Sequence, residues 1–174
     1  ITFVAQTTLA IGAASVGDEA LTVQVADLLL VSGTETGEVW ARAALGRLHL
    51  VQDRPESAVD QFARLRDRIG AVNRSFAPFE GDEAEALVRV GRLDDARAIL
   101  PVLEAAAVAR GGWSRGQHER VLALLAPDID TAVGHFEAAR DEFAETDNKI
   151  ALGIAELTWG EWLRRAKRRA EARR

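Results

Sequence analysis

One short pattern recurs along this chain and limits what it can fold into. A polar turn followed by an alanine appears five times. The copies are Gly17-Asp18-Glu19-Ala20, Asp53-Arg54-Pro55-Glu56-Ser57-Ala58, Gly91-Arg92-Leu93-Asp94-Asp95-Ala96, Asp128-Ile129-Asp130-Thr131-Ala132 and Lys167-Arg168-Arg169-Ala170. Successive alanines lie 38, 38, 36 and 38 residues apart. Four residues after the alanine the middle copies carry a large apolar residue: Phe62, Leu100 and Phe136. Helical apolar patterns precede the turns, as in Leu45, Leu48, Leu50 and Leu122, Leu124, Leu125. A fixed period of this size is the mark of stacked supersecondary units.

The physics of the pattern is that of two antiparallel helices crossing at a tight turn. A small residue opening the second helix lets the backbones approach, and a Phe or Leu one turn later fills the space between pairs. Asp, Ser and Gly at the turn supply N-caps and left-handed C-caps. Pro55 suits a helix start, and Pro78 and Pro127 fall at predicted boundaries. Pro101 lies inside a predicted helix and is expected to kink or split it. Ala58 and Ala96 are expected at close crossings, where Leu would overpack. At Ala139 and Ala172 the same change costs less if those positions face outward.

The predicted fold is all-α: a tetratricopeptide-like superhelical solenoid of antiparallel helix pairs, forming one helical-repeat domain over residues 1–174. The units are approximately 1–33, 34–73, 74–110, 111–146 and a truncated 147–174. The predicted helices are 2–15 and 18–31, 35–52 and 55–69, 77–91 and 94–110, 113–126 and 128–145, then 148–166 with a second helix cut off at Arg174. The period falls between the ~34 residues of tetratricopeptide repeats and the ~40–47 of HEAT or armadillo repeats. Gly46, twelve residues before Ala58 and following Leu45, matches the Leu-Gly of a tetratricopeptide first helix.

Composition agrees. Hydrophobic residues make up 48%, enough for a core, and Tyr is absent. The abundance of Ala, Leu, Glu and Arg favours helix. With no Cys, disulfides, thiolate catalysis and Cys-based zinc sites are excluded; a reducing, cytoplasmic setting is expected. The longest strongly apolar run, near Val25–Val31, is far short of a bilayer span, and no signal peptide opens the chain. A start at Ile1 and an end in a basic run point to a piece of a longer protein. Residues 164–174 carry Arg164, Arg165, Lys167, Arg168, Arg169, Arg173 and Arg174 against Glu171, or +6; with −5 overall, the remainder is −11. An acidic body repels phosphate backbones. The tail reads first as a solvated Arg-rich helix face.

Catalytic patterns are missing. His49, His118 and His135 are not spaced as a metal pair and no HExxH occurs. His49 sits at a helix-packing position. There is no paired Glu-x-x-His set, no GxGxxG or GxxxxGK[ST] loop and no GxSxG elbow. Gly111-Gly112 reads as a linker, and Asp94-Asp95 as a helix start favoured by the macrodipole. No enzyme activity and no cofactor are expected.

Several phrases carry a family resemblance. Glu85-Ala86-Leu87-Val88-Arg89-Val90-Gly91-Arg92-Leu93-Asp94-Asp95-Ala96-Arg97-Ala98 resembles a phrase common in large actinobacterial LuxR-type regulators. Arg110-Gly111-Gly112-Trp113, Phe136-Glu137-Ala138-Ala139 and Trp159-Gly160-Glu161-Trp162-Leu163-Arg164-Arg165-Ala166 are similar to that family too. The resemblance covers roughly residues 40–174 and departs at Pro101 and at Leu125-Ala126-Pro127, where a Gly-Asp turn is usual. It implies the helical-repeat region of a MalT-like, ATPase-containing transcriptional regulator. Such a region would sense a small-molecule inducer or protein partner and influence self-association. Separately, the missing second helix of the fifth unit is expected to leave an exposed apolar edge, and self-association is expected through that C-terminal edge. DNA contact would come only through a domain outside this chain. The alternative is a generic peptide- or protein-binding scaffold with no transcriptional role. The inward-facing positions of a tetratricopeptide array would be Trp40, Ala43, Arg47, Glu85, Arg89, Gln117, Val121, Trp159 and Trp162, a mixture of aromatic and polar groups suited to a ligand or partner groove. Trp40 and Trp162 have a second reading, as covers for neighbouring helices.

Overall fold

The structure, a computed structural model, describes residues 2–69, 79–146 and 148–171. Among them every regular element is a helix and none is a strand. The chain divides into two compact units, Ile1–Arg92 and Leu93–Arg174. The division falls at the Gly91-Arg92 turn, inside the expected third repeat.

The first unit holds α1 (Phe3–Ser15), α2 (Glu19–Val31), α3 (Glu35–Val51), α4 (Pro55–Arg68) and α5 (Glu80–Arg89). The ends of α1, α3 and α5 are built alike. After α1, Asp18 N–H donates to Ala13 O and Gly17 N–H to Ala14 O. After α3, Arg54 donates to His49 O and Asp53 to Leu50 O; after α5, Arg92 donates to Leu87 O and Gly91 to Val88 O. Each is a Schellman cap, which needs a left-handed residue just past the helix. Gly17 (φ 77°), Asp53 (φ 55°) and Gly91 (φ 82°) provide it. Asp18 then caps α2 by accepting from Leu21 N–H at 3.0 Å, and Pro55 opens α4 where its missing N–H is harmless.

Packing follows the turns. α1 packs on α2 and α3, α2 on α3, and α3 on α4 and α5, with α4 on α5. Each first helix of a pair therefore touches the first helix of the next pair. One buried cluster joins α1, α2 and α3 through Ala10, Ala14, Val25, Ala26, Leu29, Ala41, Ala44 and Leu48. Another joins α3, α4 and α5 through Val39, Ala43, Leu50, Ala58, Phe62, Leu65 and Ala86, with Phe62 stacked on Phe79 at 6.2 Å. Ala58 is buried as expected, and a Cβ on Gly46 would lie 2.6 Å from the Phe62 ring. Gly46 thus sets the distance between α3 and α4. The marked alanine of the first copy behaves differently: Ala20 is exposed, and Thr22 and Val25 take the inner face.

The second unit holds α6 (Leu93–Arg97), α7 (Leu100–Arg110), α8 (Gly112–Leu125), α9 (Ile129–Glu145) and α10 (Lys149–Glu171). α7 packs on α8, α8 on α9 and α10, and α9 on α10. The helix expected over 94–110 is split at Ala98 and Ile99, and Pro101 sits in the first turn of α7. The ring of Pro101 would clash with the carbonyl of Arg97, where α6 ends. The break shifts the inner face: Ile99 and Leu103 are buried, whereas Leu100 is only half-buried. Ala96 and Ala132 are buried as expected. Ala139 is also fully buried, packed with Phe143, Ala151 and Ala155, so it does not face outward.

Two further differences concern the turns. The α8–α9 joint has no left-handed residue; Ala126 is extended (φ −60°, ψ 142°), as the residue before a proline prefers. The expected fifth turn at Lys167–Ala170 is absent, because α10 continues without a break to Glu171. Nothing in Trp162–Glu171 ends a helix: it has no Gly, Pro or capping residue, and after Trp162 it consists of strong helix formers. Pro78, Ala172 and the side chains of the basic run from residue 166 onward lie outside the described residues. Among the described residues no helix is long and apolar enough to cross a membrane.

Candidate functional site

In the first unit, charged side chains gather where α5 meets α3 and α4. α5 reads Glu-Gly-Asp-Glu-Ala-Glu-Ala-Leu-Val-Arg, and Gly81 through Leu87 are all buried. A helix covered on every side is normally apolar, yet this one carries Asp82, Glu83 and Glu85. Each carboxylate meets a guanidinium. Asp82 accepts from Arg47 of α3, Glu83 lies 2.5 Å from Arg66 of α4, and Glu85 lies 2.5 Å from Arg89 on the next turn. Arg89 also donates to Leu50 O at 3.3 Å and to Asp53 Oδ1 at 3.4 Å, tying α5 to the last turn of α3. Buried charges of this kind persist only when paired.

The proposed groove residues of this unit are therefore placed as follows. Arg47 (8% exposed) and Glu85 (3% exposed) are inside the protein, and Arg89 is mostly covered with them. The Arg47 Nε finds no hydrogen-bond partner. Ala43 is buried beneath α4 and α5. Trp40 stands apart, half-buried against the α1–α2–α3 cluster. It covers neighbouring helices, the second of its two readings.

In the second unit, Trp159 stacks on Phe136 at 5.8 Å with an 11° interplanar angle. Trp162 meets the same ring edge-on at 6.1 Å. Both tryptophans are half-buried, and the Trp159 indole Nε1 is enclosed without an acceptor. Gln117 is buried and accepts from Arg120 Nη2 at 2.9 Å, and Val121 is fully buried.

Asp82, Glu83, Arg66 and Arg120 are not among the positions expected from the sequence. The first two had a signal: four acids, Glu80, Asp82, Glu83 and Glu85, fall within six residues of a helix whose other residues are small or apolar except Arg89. Arg120 had one as well. It lies twelve residues before Ala132, as Gly46 lies twelve residues before Ala58. Arg120 is fully buried, so a long cation fills the level that glycine holds in the other copy. Close approach moves instead to Gly116, whose Cβ would lie 2.6 Å from the Phe143 ring.

His49 is half-buried in α3 with its Nδ1 unpaired. Burial, then the neighbouring Arg54 charge, holds its pKa below the ordinary imidazole value against the opposing pull of Glu19. In the second unit His135 Nδ1 lies 2.7 Å from Glu119 Oε2. Among the described residues no group of His, Cys, Asp or Glu is arranged to hold a metal ion. Asp82, Glu83 and Glu85 are each engaged by a guanidinium rather than converging on a common point. That arrangement suits fixing α5 to α3 and α4. Comparison of the chain with family models, characterised proteins and solved structures gave no match.

Proposed function

We propose that this chain is a tetratricopeptide-like repeat segment that works by binding and self-association rather than by catalysis, within a LuxR-type, MalT-like transcriptional regulator. The observation that carries the repeat reading is the recurrence of one turn. Gly17, Asp53 and Gly91 adopt the same left-handed conformation and close the same pair of hydrogen bonds after α1, α3 and α5. Stacked units of this kind gain stability from their neighbours and offer extended surfaces to partners. The regulator reading adds the resemblance of Glu85–Ala98, whose phrase spans α5, the third of these turns and α6. The segment would act in the cytoplasm, take a small inducer or a protein partner, and reach DNA only through a domain outside this chain.

Reading the coding frame in both directions tests this proposal. A P-loop ATPase upstream and a helix-turn-helix downstream are expected. Their absence would leave the second reading, a peptide- or protein-binding scaffold. The internal engagement of Arg47, Glu85 and Gln117 favours that reading, because it leaves fewer fixed polar groups facing a small ligand. A Trp-fluorescence screen with oligosaccharides and peptides would separate the two ligand classes.

A further inference from the structure

Counting from the left-handed residue after each first helix puts two junctions of the first unit in one register. Gly17, Asp53 and Gly91 are the reference points. Thr22 and Ala58, each five residues after a reference, are both fully buried, and Leu29 and Leu65, each twelve after, are buried as well. Six residues before the reference stand Ile11 on α1 and Arg47 on α3. Thirteen after it stand Leu30 on α2 and Arg66 on α4. Nine and eight before the next reference stand Ala44 and Leu45 on α3, and Asp82 and Glu83 on α5.

At the first junction, where α3 meets α1 and α2, these positions are apolar: Ile11, Leu30 and Leu45 pack on the cluster that contains Ala44. At the second, where α5 meets α3 and α4, the same positions are ionic, joined as Arg47–Asp82 and Arg66–Glu83. The turn positions follow suit. A Cβ on Gly17 would lie 3.4 Å from Val51 Cγ1. The equivalent Asp53 lies 3.4 Å from Arg89, and Val51 and Arg89 each stand two residues before a reference.

We infer that the second junction is a charge key: the cations of α3 and α4 admit only a helix with acids at the positions of Asp82 and Glu83, which fixes the order of the helix pairs. The inference rests on the repeat reading of α1–α5 and is independent of the transcriptional one. Stability does not explain the charges, because apolar groups often replace a buried ion pair at little cost and the first junction is built that way. Selection does explain them. A wrong partner is rejected when it leaves a charge buried against an apolar group. A second α3 docked on α3 and α4 would set Ala44 and Leu45 against Arg47 and Arg66. In the converse error, α5 docked on α1 and α2 would set Asp82 and Glu83 against Ile11 and Leu30. The turns carry no such information, since the left-handed φ and the two hydrogen bonds recur at each. Burial ranks the two pairs. The side chains of Arg47 and Asp82 are 10% and 6% exposed, whereas Arg66 is 50% exposed against 7% for Glu83. The Arg47–Asp82 pair therefore carries most of the selectivity.

Transplanting the residues of the first junction into the second tests the key on the full chain, with thermal unfolding followed by far-UV circular dichroism. Asp82→Ala/Glu83→Leu gives α5 the residues that α3 has at these positions and leaves Arg47 and Arg66 facing them. Tm should fall by about 10 °C or more. Adding Arg47→Ile/Arg66→Leu completes an apolar junction and should bring Tm back to within about 5 °C of the parent. An α5 variant as stable as the parent overturns the key, and the fourfold variant then reports on the register alone. If the fourfold variant is no more stable than a destabilised α5 variant, the positions are not equivalent and the register fails together with the key.

Discussion

Replacing Arg47 with Met removes a guanidinium from a site where 8% of the residue is exposed and its partner Asp82 is 5% exposed. The change keeps the length and apolar stem of the side chain. It leaves the Asp82 carboxylate without the cation that faces it from α3. Breaking a buried ion pair from one side costs about 3–5 kcal/mol. For a unit of this size each kcal/mol shifts Tm by about 4–8 °C, so a fall of at least about 12 °C is expected. Thermal and urea unfolding followed by circular dichroism would measure it. The double variant Arg47→Met/Asp82→Leu removes both charges and should recover most of the loss, because two apolar groups often replace a buried pair at little cost. The outcome separates two roles for Arg47. On a solvent-facing groove, Arg47→Met would change stability by no more than about 0.5 kcal/mol and would affect only ligand binding. A loss that small, or a double variant no more stable than the single, would refute the claim that the pair fixes α5 to α3.

Gly46→Ala and Gly116→Ala each drive a Cβ to 2.6 Å from a buried ring and should cost about 1–3 kcal/mol; Gly134→Ala, with open space, should instead gain about 1 kcal/mol from helix propensity. Asp53 has a left-handed backbone (φ 55°), a conformation that costs a non-glycine residue about 1–2 kcal/mol. Asp53→Gly should therefore raise the urea midpoint slightly despite losing the 3.4 Å contact with Arg89. His49 has a lowered pKa in the folded state, so the unfolded chain binds the extra proton first. Its contribution is fully present above the ordinary imidazole value, near 6.5, and is lost as pH falls from there toward the folded-state value. His49→Gln should flatten that part of the stability–pH curve, and an unchanged curve would show that His49 is not its source.

The helix boundaries were legible because their signals are local. Gly17, Asp53-Arg54-Pro55 and Gly91 mark turns by backbone chemistry alone, and the break at Pro101 follows from a ring that cannot fit behind Arg97. The expected fifth turn failed for a related reason. Ala170 shared the spacing of the other marks but had no residue beside it able to end a helix, and spacing alone does not stop α10. The charged side chains were less readable. Arg47 and Glu85 were placed on a common face by counting, yet whether that face meets solvent or another helix depends on α5 folding against α3, a contact between residues 35 apart in the case of Arg47 and Asp82. Arg120 shows the limit most plainly. A pattern that predicts a small residue says nothing of how a fully buried arginine is accommodated when it appears there instead.

The three matching turns also bear on how such a chain changes length over generations. Gly17, Asp53 and Gly91 all end their helices with a left-handed φ and the same two hydrogen bonds. A recombination that joins any one of these points to any other restores a working helix end on both sides of the splice. At the level of the backbone, gain or loss of the stretch between two such turns should therefore be the least disruptive insertion or deletion open to this region. The proline-bound joint between α8 and α9, with its extended Ala126, offers no such splice. Natural length variants should therefore break at the glycine and aspartate turns and leave the segment around Pro127 whole.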